Sequence, residues 1–280
     1  MLRTSAVRVL DDRDIDAVLG VLTSDPVTNV LVQSRVEAVG LQPWRLGAEM
    51  WGHQAEGRLG GLCFAGANLV PVSGDDAAMR AFADRARRQG RRCSSIVGPA
   101  RLVRPLWDLL EPLWGPAREV RPTQPLLVID EDPREPADPL VRRVQPDEVD
   151  VLLPASIAMF TEEVGVSPVA GDGGALYRAR VSELVHLGRS FARIEGRRII
   201  FKAEVGAATA AACQIQGVWV DPQLRGRGLS IGGMAAVVDE CRAAIAPVVS
   251  LYVNDFNVAA RRAYQRVGFR EVDTFMSVLF

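Results

Sequence analysis

The sequence predicts an α/β chain of two domains, and three observations carry that prediction. Strand-like apolar runs alternate with amphipathic helical patterns in both halves; residues 67–72 lead into a helical stretch over 75–90 with Met79, Phe82, Ala83 and Ala86 on one face. Residues 131–139, Glu-Asp-Pro-Arg-Glu-Pro-Ala-Asp-Pro, are acidic, proline-rich and poor in apolar side chains, as a linker is. Beyond them the chain repeats features of its own start. The expected division is a first domain over 1–130, the linker over 131–139 and a second domain over 140–280.

The elements follow in order. Residues 7–10 read as a strand, and 11–22 as a helix with acidic residues in its first turn, where the helix dipole favours them. A second helix is expected near 29–39, and 40–51 reads as irregular. Gln54 to Arg58 reads as a turn before an apolar run over 59–64. The strand over 67–72 and the helix over 75–90 come next, then a strand over 92–97 closed by Gly98-Pro99. A helix over 102–114 is limited by Pro105 and Pro112, and 123–129 is a strand. The second half reads as strand 140–144, helix 146–159, helix 175–187, and strands 190–194, 198–205 and 211–220. After a glycine-bearing turn come a helix, a strand over 248–253, a helix over 257–267 and a last strand or hairpin.

The two halves resemble each other. Val7-Arg8 followed by Asp14-Ile15-Asp16 and Leu19 lines up at one constant offset with Val141-Arg142 followed by Glu148-Val149-Asp150 and Leu153. Glu56-Gly57-Arg58 is echoed by Glu195-Gly196-Arg197. A repeat this long means two domains of one fold rather than a solenoid, unless the match is a coincidence of common residues.

Composition excludes several classes. The chain has 280 residues, is 48% hydrophobic and 24% charged, and can bury a sizeable core. A net charge of -1 gives no support for nucleic-acid binding. The basic residues are arginines except for Lys202. The cysteines, Cys63, Cys93, Cys213 and Cys241, are scattered without metal or CxxC spacing, and His53 and His186 are too few for a histidine metal site, so no metal is expected. No run suits a bilayer span and no apolar leader follows Met1, so no membrane partner and a cytoplasmic setting are expected.

The most informative stretch begins in a strand, Val218-Trp219-Val220, and turns through Asp221-Pro222-Gln223-Leu224-Arg225-Gly226-Arg227-Gly228-Leu229-Ser230. A helix follows, with Ile231, Met234, Ala235 and Val238 at i, i+3, i+4 and i+7. A helix start exposes amides that have no partner inside the helix, and the dipole adds positive charge there. Glycines without a Cβ let a phosphate approach the backbone, so the turn reads as an anion cradle. A Walker loop would need Gly-Lys-Ser/Thr, and a dinucleotide loop a third glycine where Ile231 stands, with Gly232 one place late.

Gln223-x-x-Gly226-x-Gly228 resembles the pyrophosphate loop of the GCN5-related N-acetyltransferase (GNAT) superfamily. The likeness continues through the strand over 248–253 into Asn257-x-x-Ala260-x-x-x-Tyr264-x-x-x-Gly268-Phe269. The motifs cover roughly the last quarter of the chain. The resemblance implies two GNAT-like domains, each a central mixed sheet flanked by helices. In the first, the corresponding turn, Pro71-Val72-Ser73-Gly74-Asp75-Asp76, lacks the glycine pattern and carries two carboxylates, so that domain is expected not to bind coenzyme A.

The resemblance also implies an acetyl-CoA-dependent N-acetyltransferase acting on a primary amine. Backbone N–H groups from Arg225 through Gly226, Arg227, Gly228 and Leu229 to Ser230 would bind pyrophosphate. Val218, Trp219 and Val220 would pair with pantetheine as an added strand, and an N–H in that strand would donate to the oxyanion. Asn257 would lie near the pantetheine, or serve as an N-cap. Tyr264 would be the general acid, unless it is only a core aromatic. Gln214 and Gln216 stand where some relatives carry a glutamate base. Glu162, Glu163 and Glu204 are the remaining candidates, each also readable as a solvated or ion-paired carboxylate. The acceptor, small molecule or peptide, and the oligomeric state stay open, as do a non-catalytic acyl-CoA-binding protein of the same fold and a dinucleotide enzyme.

Overall fold

A computed structural model describes residues 7–55, 57–170 and 173–280. The chain forms two compact units, one of residues up to Leu126 together with Val272–Phe280, the other of Leu127–Glu271. The expected second domain ran to the end of the sequence; the last strand instead belongs to the first unit. Glu56, part of the second internal echo, lies outside the described residues.

The chain runs through β1 (Val7–Val9), α1 (Ile15–Leu22), α2 (Val30–Val39), α3 (Pro43–Leu46), β2 (Glu49–Ala55), β3 (Arg58–Ala65), β4 (Asn68–Ser73), α4 (Asp76–Gln89), β5 (Ser95–Pro99), α5 (Ala100–Trp114) and β6 (Glu119–Ile129). It continues through β7 (Val141–Arg143), α6 (Val149–Val164), α7 (Ala175–His186), β8 (Ser190–Glu195), β9 (Arg198–Ala208), β10 (Ala212–Val220), α8 (Leu229–Ala244), β11 (Val248–Tyr252), α9 (Val258–Val267) and β12 (Arg270–Leu279).

The first unit is a mixed sheet in the order β1-β2-β3-β4-β5-β12. β4 and β5 are parallel, whereas β12 is antiparallel to β5, with Phe275 opposite Pro99 and Leu279 opposite Ser95. Side chains alternate between two cores, as strand geometry requires. Leu69, Ile96, Met276 and Val278 pack with Met79, Phe82, Leu106 and Trp107 of α4 and α5. Val70, Val97 and Phe275 pack with Val18, Leu22, Val32 and Val36 of α1 and α2. β2 and α3 fall where the sequence read as irregular. Met50, Trp51, Gly52 and His53 of β2 are all buried, and a strand covered on both faces has no polar–apolar alternation to betray it.

The second unit orders its strands β11-β10-β9-β8-β7. One face packs on α8 and α9 through Phe201, Ala203, Val205, Met234, Val238 and Val267. The other packs on α6 and α7 through Leu152, Val181, Val185 and Ile199. α8 lies close to β9: a Cβ on Gly233 would sit 2.9 Å from the Phe201 ring. The acidic stretch after Asp130 contains no regular element, yet it is fastened within this unit. Arg134 N donates to Val267 O at 2.8 Å, Asp138 N to Gly232 O at 2.9 Å, and Arg266 pairs with Glu135 at 2.7 Å. What composition marked as a free linker is a strap over α8 and α9.

Candidate active site

The glycine turn joins β10 to α8. Asp221 is buried and its Oδ1 accepts from Gln223 N at 2.9 Å, closing the turn after Pro222. Arg198 ties the turn down from β9, donating from Nε to Asp221 Oδ2 at 2.5 Å and from Nη2 to Gln223 Oε1 at 2.8 Å. That guanidinium holds the Asp221 carboxyl below its ordinary pKa. Gly226 and Gly228 both have φ +77, a left-handed conformation open to glycine at no steric cost. A Cβ on Gly226 would meet nothing within 4 Å. Arg225 through Gly228 are exposed, and Gly228 is the N-cap of α8 with no side-chain cap among the described residues. In the first turn of this sixteen-residue helix Ile231 N donates back to Gly228 O at 3.0 Å, which leaves the Leu229 and Ser230 amides without an acceptor inside the helix.

β10 presents an open edge beside that turn. Its parallel pairing with β11 covers Ala212, Cys213 and Gln214 and stops there, although β10 continues to Val220. Beyond Gln214 the edge bearing Val218, Trp219 and Val220 has no strand partner on that side among the described residues. The opposite edge pairs with β9, Trp219 opposite Lys202 and Val220 opposite Phe201.

The first unit treats the same features differently. Asp75 is the N-cap of α4, and its Oδ1 accepts from Ala78 N at 2.9 Å. A carboxylate from the chain itself thus serves the amides that a phosphate would need. Gly98 of β5 approaches β4 so closely that a Cβ would lie 3.3 Å from Pro71 O. The hydrogen bond from the Ala78 amide holds the Asp75 carboxyl below its ordinary pKa. A lowered carboxyl pKa means that the cap's stabilisation is present above the ordinary carboxylate pKa and lost as pH falls through the lowered folded value. Asp75→Ala is expected to cost about 1 kcal/mol, the usual worth of an N-cap, in urea unfolding at neutral pH, and less under acid. A cavity of about 400 Å³ in this unit, walled by Trp51, Leu69 and Trp114, lies near the far end of α4.

The remaining residues singled out in the sequence sort by their partners. Glu162 is bound by both forks of Arg225, at 2.9 and 2.8 Å, and Arg225 Nε donates to Val220 O at 3.1 Å. This ion pair depresses the Glu162 pKa, so the carboxylate ties α6 to the turn and is a poor proton acceptor. Glu204 is buried, with Lys202 Nζ at 3.1 Å from Oε2 and Gln216 Nε2 at 3.1 Å from Oε1. Glu163 lies near enough that its charge adds to the raised phenol pKa of both Tyr177 and Tyr264, in each case after burial as the main cause. Tyr264 is 6% exposed within the core of the second unit, its ring 5.9 Å from that of Phe269. Asn257 caps α9, accepting from Ala260 N at 3.2 Å. Leu229 and Ser230 open α8 and are half-buried.

Three residues here went unread in the sequence: Arg198, Tyr177 and Lys202. Only Lys202 carried a signal, as the one lysine among 33 basic residues. Among the described residues no cluster of His, Cys, Asp and Glu could hold a metal ion, and no helix is long and apolar enough to cross a membrane.

For the acetyl-CoA binding that the sequence resemblance implies, Arg225→Gln is expected to change affinity less than fivefold, since both forks of Arg225 are engaged by Glu162. Arg227→Gln, which removes an exposed guanidinium from the turn, should weaken it about tenfold, roughly one charge-assisted hydrogen bond. Calorimetric titration of the two variants checks the contrast.

Comparison with known proteins bears on the fold that carries this geometry. The family described as "Acetyltransferase (GNAT) family" matches residues 196–269, and "Domain of unknown function (DUF4081)" matches 48–152. Nothing matches among curated proteins. Among solved structures, the chain is similar to a GCN5-related N-acetyltransferase from Sphaerobacter thermophilus, at 15% identity and TM-score 0.60, over 100% of this chain and 96% of that one. It is similar to a tandem GNAT protein from the clavulanic acid biosynthesis pathway, at 15% identity and TM-score 0.57, over 98% of each chain. A Drosophila protein aligns over 99% of each chain at 13% identity and TM-score 0.67. Identities this low speak for the fold alone. From β9 to α9 the chain matches the GNAT acetyltransferase family, and along its whole length it has the fold of two-unit GNAT structures.

Proposed function

We propose that the second unit transfers an acetyl group from acetyl-CoA to a primary amine, and that the first unit does not bind the donor. The observation that carries this reading is the contrast between two equivalent helix starts. α4 is capped by Asp75, whereas α8 begins after Gly228 with no side-chain cap on the Leu229 and Ser230 amides. A diphosphate at α8 would take those amides and the positive helix end together. Pantetheine would lie along the unpaired edge of β10 at Val218, Trp219 and Val220, as an added strand. Gln223 acts indirectly, holding the turn through Arg198.

Chemically, the amine attacks the thioester carbonyl, the C–S bond breaks, and the leaving thiolate takes a proton. Tyr264 is the proposed donor. Burial keeps its phenol protonated, as an acid must be. The same low-dielectric surroundings would raise the basicity of a thiolate forming beside it. Of the three carboxylates considered as base, Glu163 is the one we assign to the amine's proton, because its charge is felt at the Tyr264 phenol; Glu162 and Glu204 serve as ion-pair partners of Arg225 and Lys202. The second reading, a non-catalytic acyl-CoA-binding protein, keeps the turn and drops the chemistry. Titrating the protein with acetyl-CoA, then assaying a panel of polyamines, amino sugars and peptides for acetylation, separates them. Binding with turnover supports the enzyme; binding without turnover on any amine supports the alternative.

A further inference from the structure

The strand that would carry the thioester is not regular. Gln216 pairs with Glu204 and Trp219 with Lys202, so Gly217 and Val218 together stand opposite Ala203 in a β-bulge. Gly217 has φ +60, and a Cβ there would lie 3.0 Å from both Glu204 Cδ and Met159 Cε. The bulge therefore requires glycine and takes its carbonyl out of the β9 ladder. That carbonyl accepts from Lys202 Nζ at 3.0 Å, and the same ammonium is 3.1 Å from Glu204 Oε2. Gln216 reaches down over Gly206 to the other Glu204 oxygen; a Cβ on Gly206 would be 2.3 Å from the Gln216 amide.

Lys202 is 1% exposed. Burying an ammonium is costly unless it is paired and hydrogen-bonded. In a chain whose other Lys/Arg positions are all arginine, the position that is fully buried among the described residues keeps lysine. A planar guanidinium cannot replace a compact ammonium between a carboxylate and a carbonyl on adjacent strands. The cost is hard to explain by stability, since buried ion pairs are often no better than apolar replacements. What the pair does secure is the direction of one peptide unit, the Gly217–Val218 amide, whose N–H leads into the edge assigned to the thioester.

We propose that Lys202 is a positioning residue for acyl transfer. Its ammonium, backed by Glu204 and Gln216, clamps the Gly217 carbonyl so that the Val218 N–H is held toward the thioester oxygen. This rests on the acetyl-CoA reading above. It also gives Glu204 a definite part as the counter-charge of the clamp.

The test is isotope-edited infrared spectroscopy of [1-13C]acetyl-CoA bound to the full chain, compared for wild type, Lys202→Met and the double variant Lys202→Met/Glu204→Gln. The double variant removes the pair as a unit and leaves no unpaired buried charge, so it remains informative if the single variant folds poorly. A hydrogen bond to the thioester oxygen lowers the carbonyl stretch in wild type. In both variants the band is expected to return to the frequency of free acetyl-CoA, while the dissociation constant stays within threefold. A role confined to stability would lower the melting temperature and leave the band where wild type has it, which would overturn the proposal. Binding by wild type with no band shift would overturn it too. Failure of wild type to bind acetyl-CoA would remove the function proposed above, and this inference with it.

Discussion

Gly228→Asp is expected to lower acetyl-CoA affinity at least 100-fold, about 2.8 kcal/mol at 1.4 kcal/mol per tenfold. Three effects act in one direction. The new carboxylate would stand at the N-cap of α8, where it competes for the amides that a diphosphate needs, as Asp75 already does on α4. Its charge would repel the ligand at the helix end that otherwise attracts anions. The left-handed backbone at φ +77 is strained for a residue with a Cβ. The helix itself should tolerate the change, because aspartate caps well. The expected result is a folded protein whose thermal transition falls by a few degrees from that strain, with no calorimetric signal at micromolar acetyl-CoA. Unaltered affinity would show that the diphosphate is held elsewhere, and the functional proposal would go with it.

Tyr264→Phe should separate binding from chemistry. Removing one hydroxyl leaves the ring in its place against Phe269 and does not touch the α8 start, so acetyl-CoA affinity is expected to change less than threefold. Turnover should fall 10²–10⁴-fold, the range typical of a lost general acid. In wild type, burial holds the phenol above its ordinary pKa of about 10. The rate should therefore show no decline from Tyr264 ionisation up to that pH. Stopped-flow release of the thiol, followed with a thiol reagent, measures both quantities. Equal rates for the two proteins would return Tyr264 to the role its burial also allows, a core aromatic.

Why some of this was legible in the sequence and some was not follows from what each feature is made of. The role proposed for the turn at Gly226 and Gly228 rests on backbone amides, which need particular residue types at fixed spacing, and spacing is what a sequence displays. Asp75 could be read as hostile to phosphate for the same reason. The three carboxylates were indistinguishable in one dimension because their roles depend on partners far along the chain: Arg225 is 63 residues from Glu162. Gln216 reaches Glu204 from twelve positions away, on another strand. β2 was missed because both its faces are covered, and a buried strand looks like any apolar run. The stretch after Asp130 misled through composition. Its charges suggested solvent, whereas Asp132 and Glu135 are spent on Arg242 and Arg266.

The last strand ties the order of synthesis to the order of completion. β5 lacks its antiparallel neighbour until residues 275–279 arrive, and Met276 and Val278 supply part of the core made with α4 and α5. The first unit is thus completed only after the second has been translated, by a piece that leaves the ribosome more than 170 residues after Pro99. Until then its sheet has an exposed edge of the kind that invites pairing with other chains. The loop closure that seals it spans more than 170 residues, which should make it a slow step.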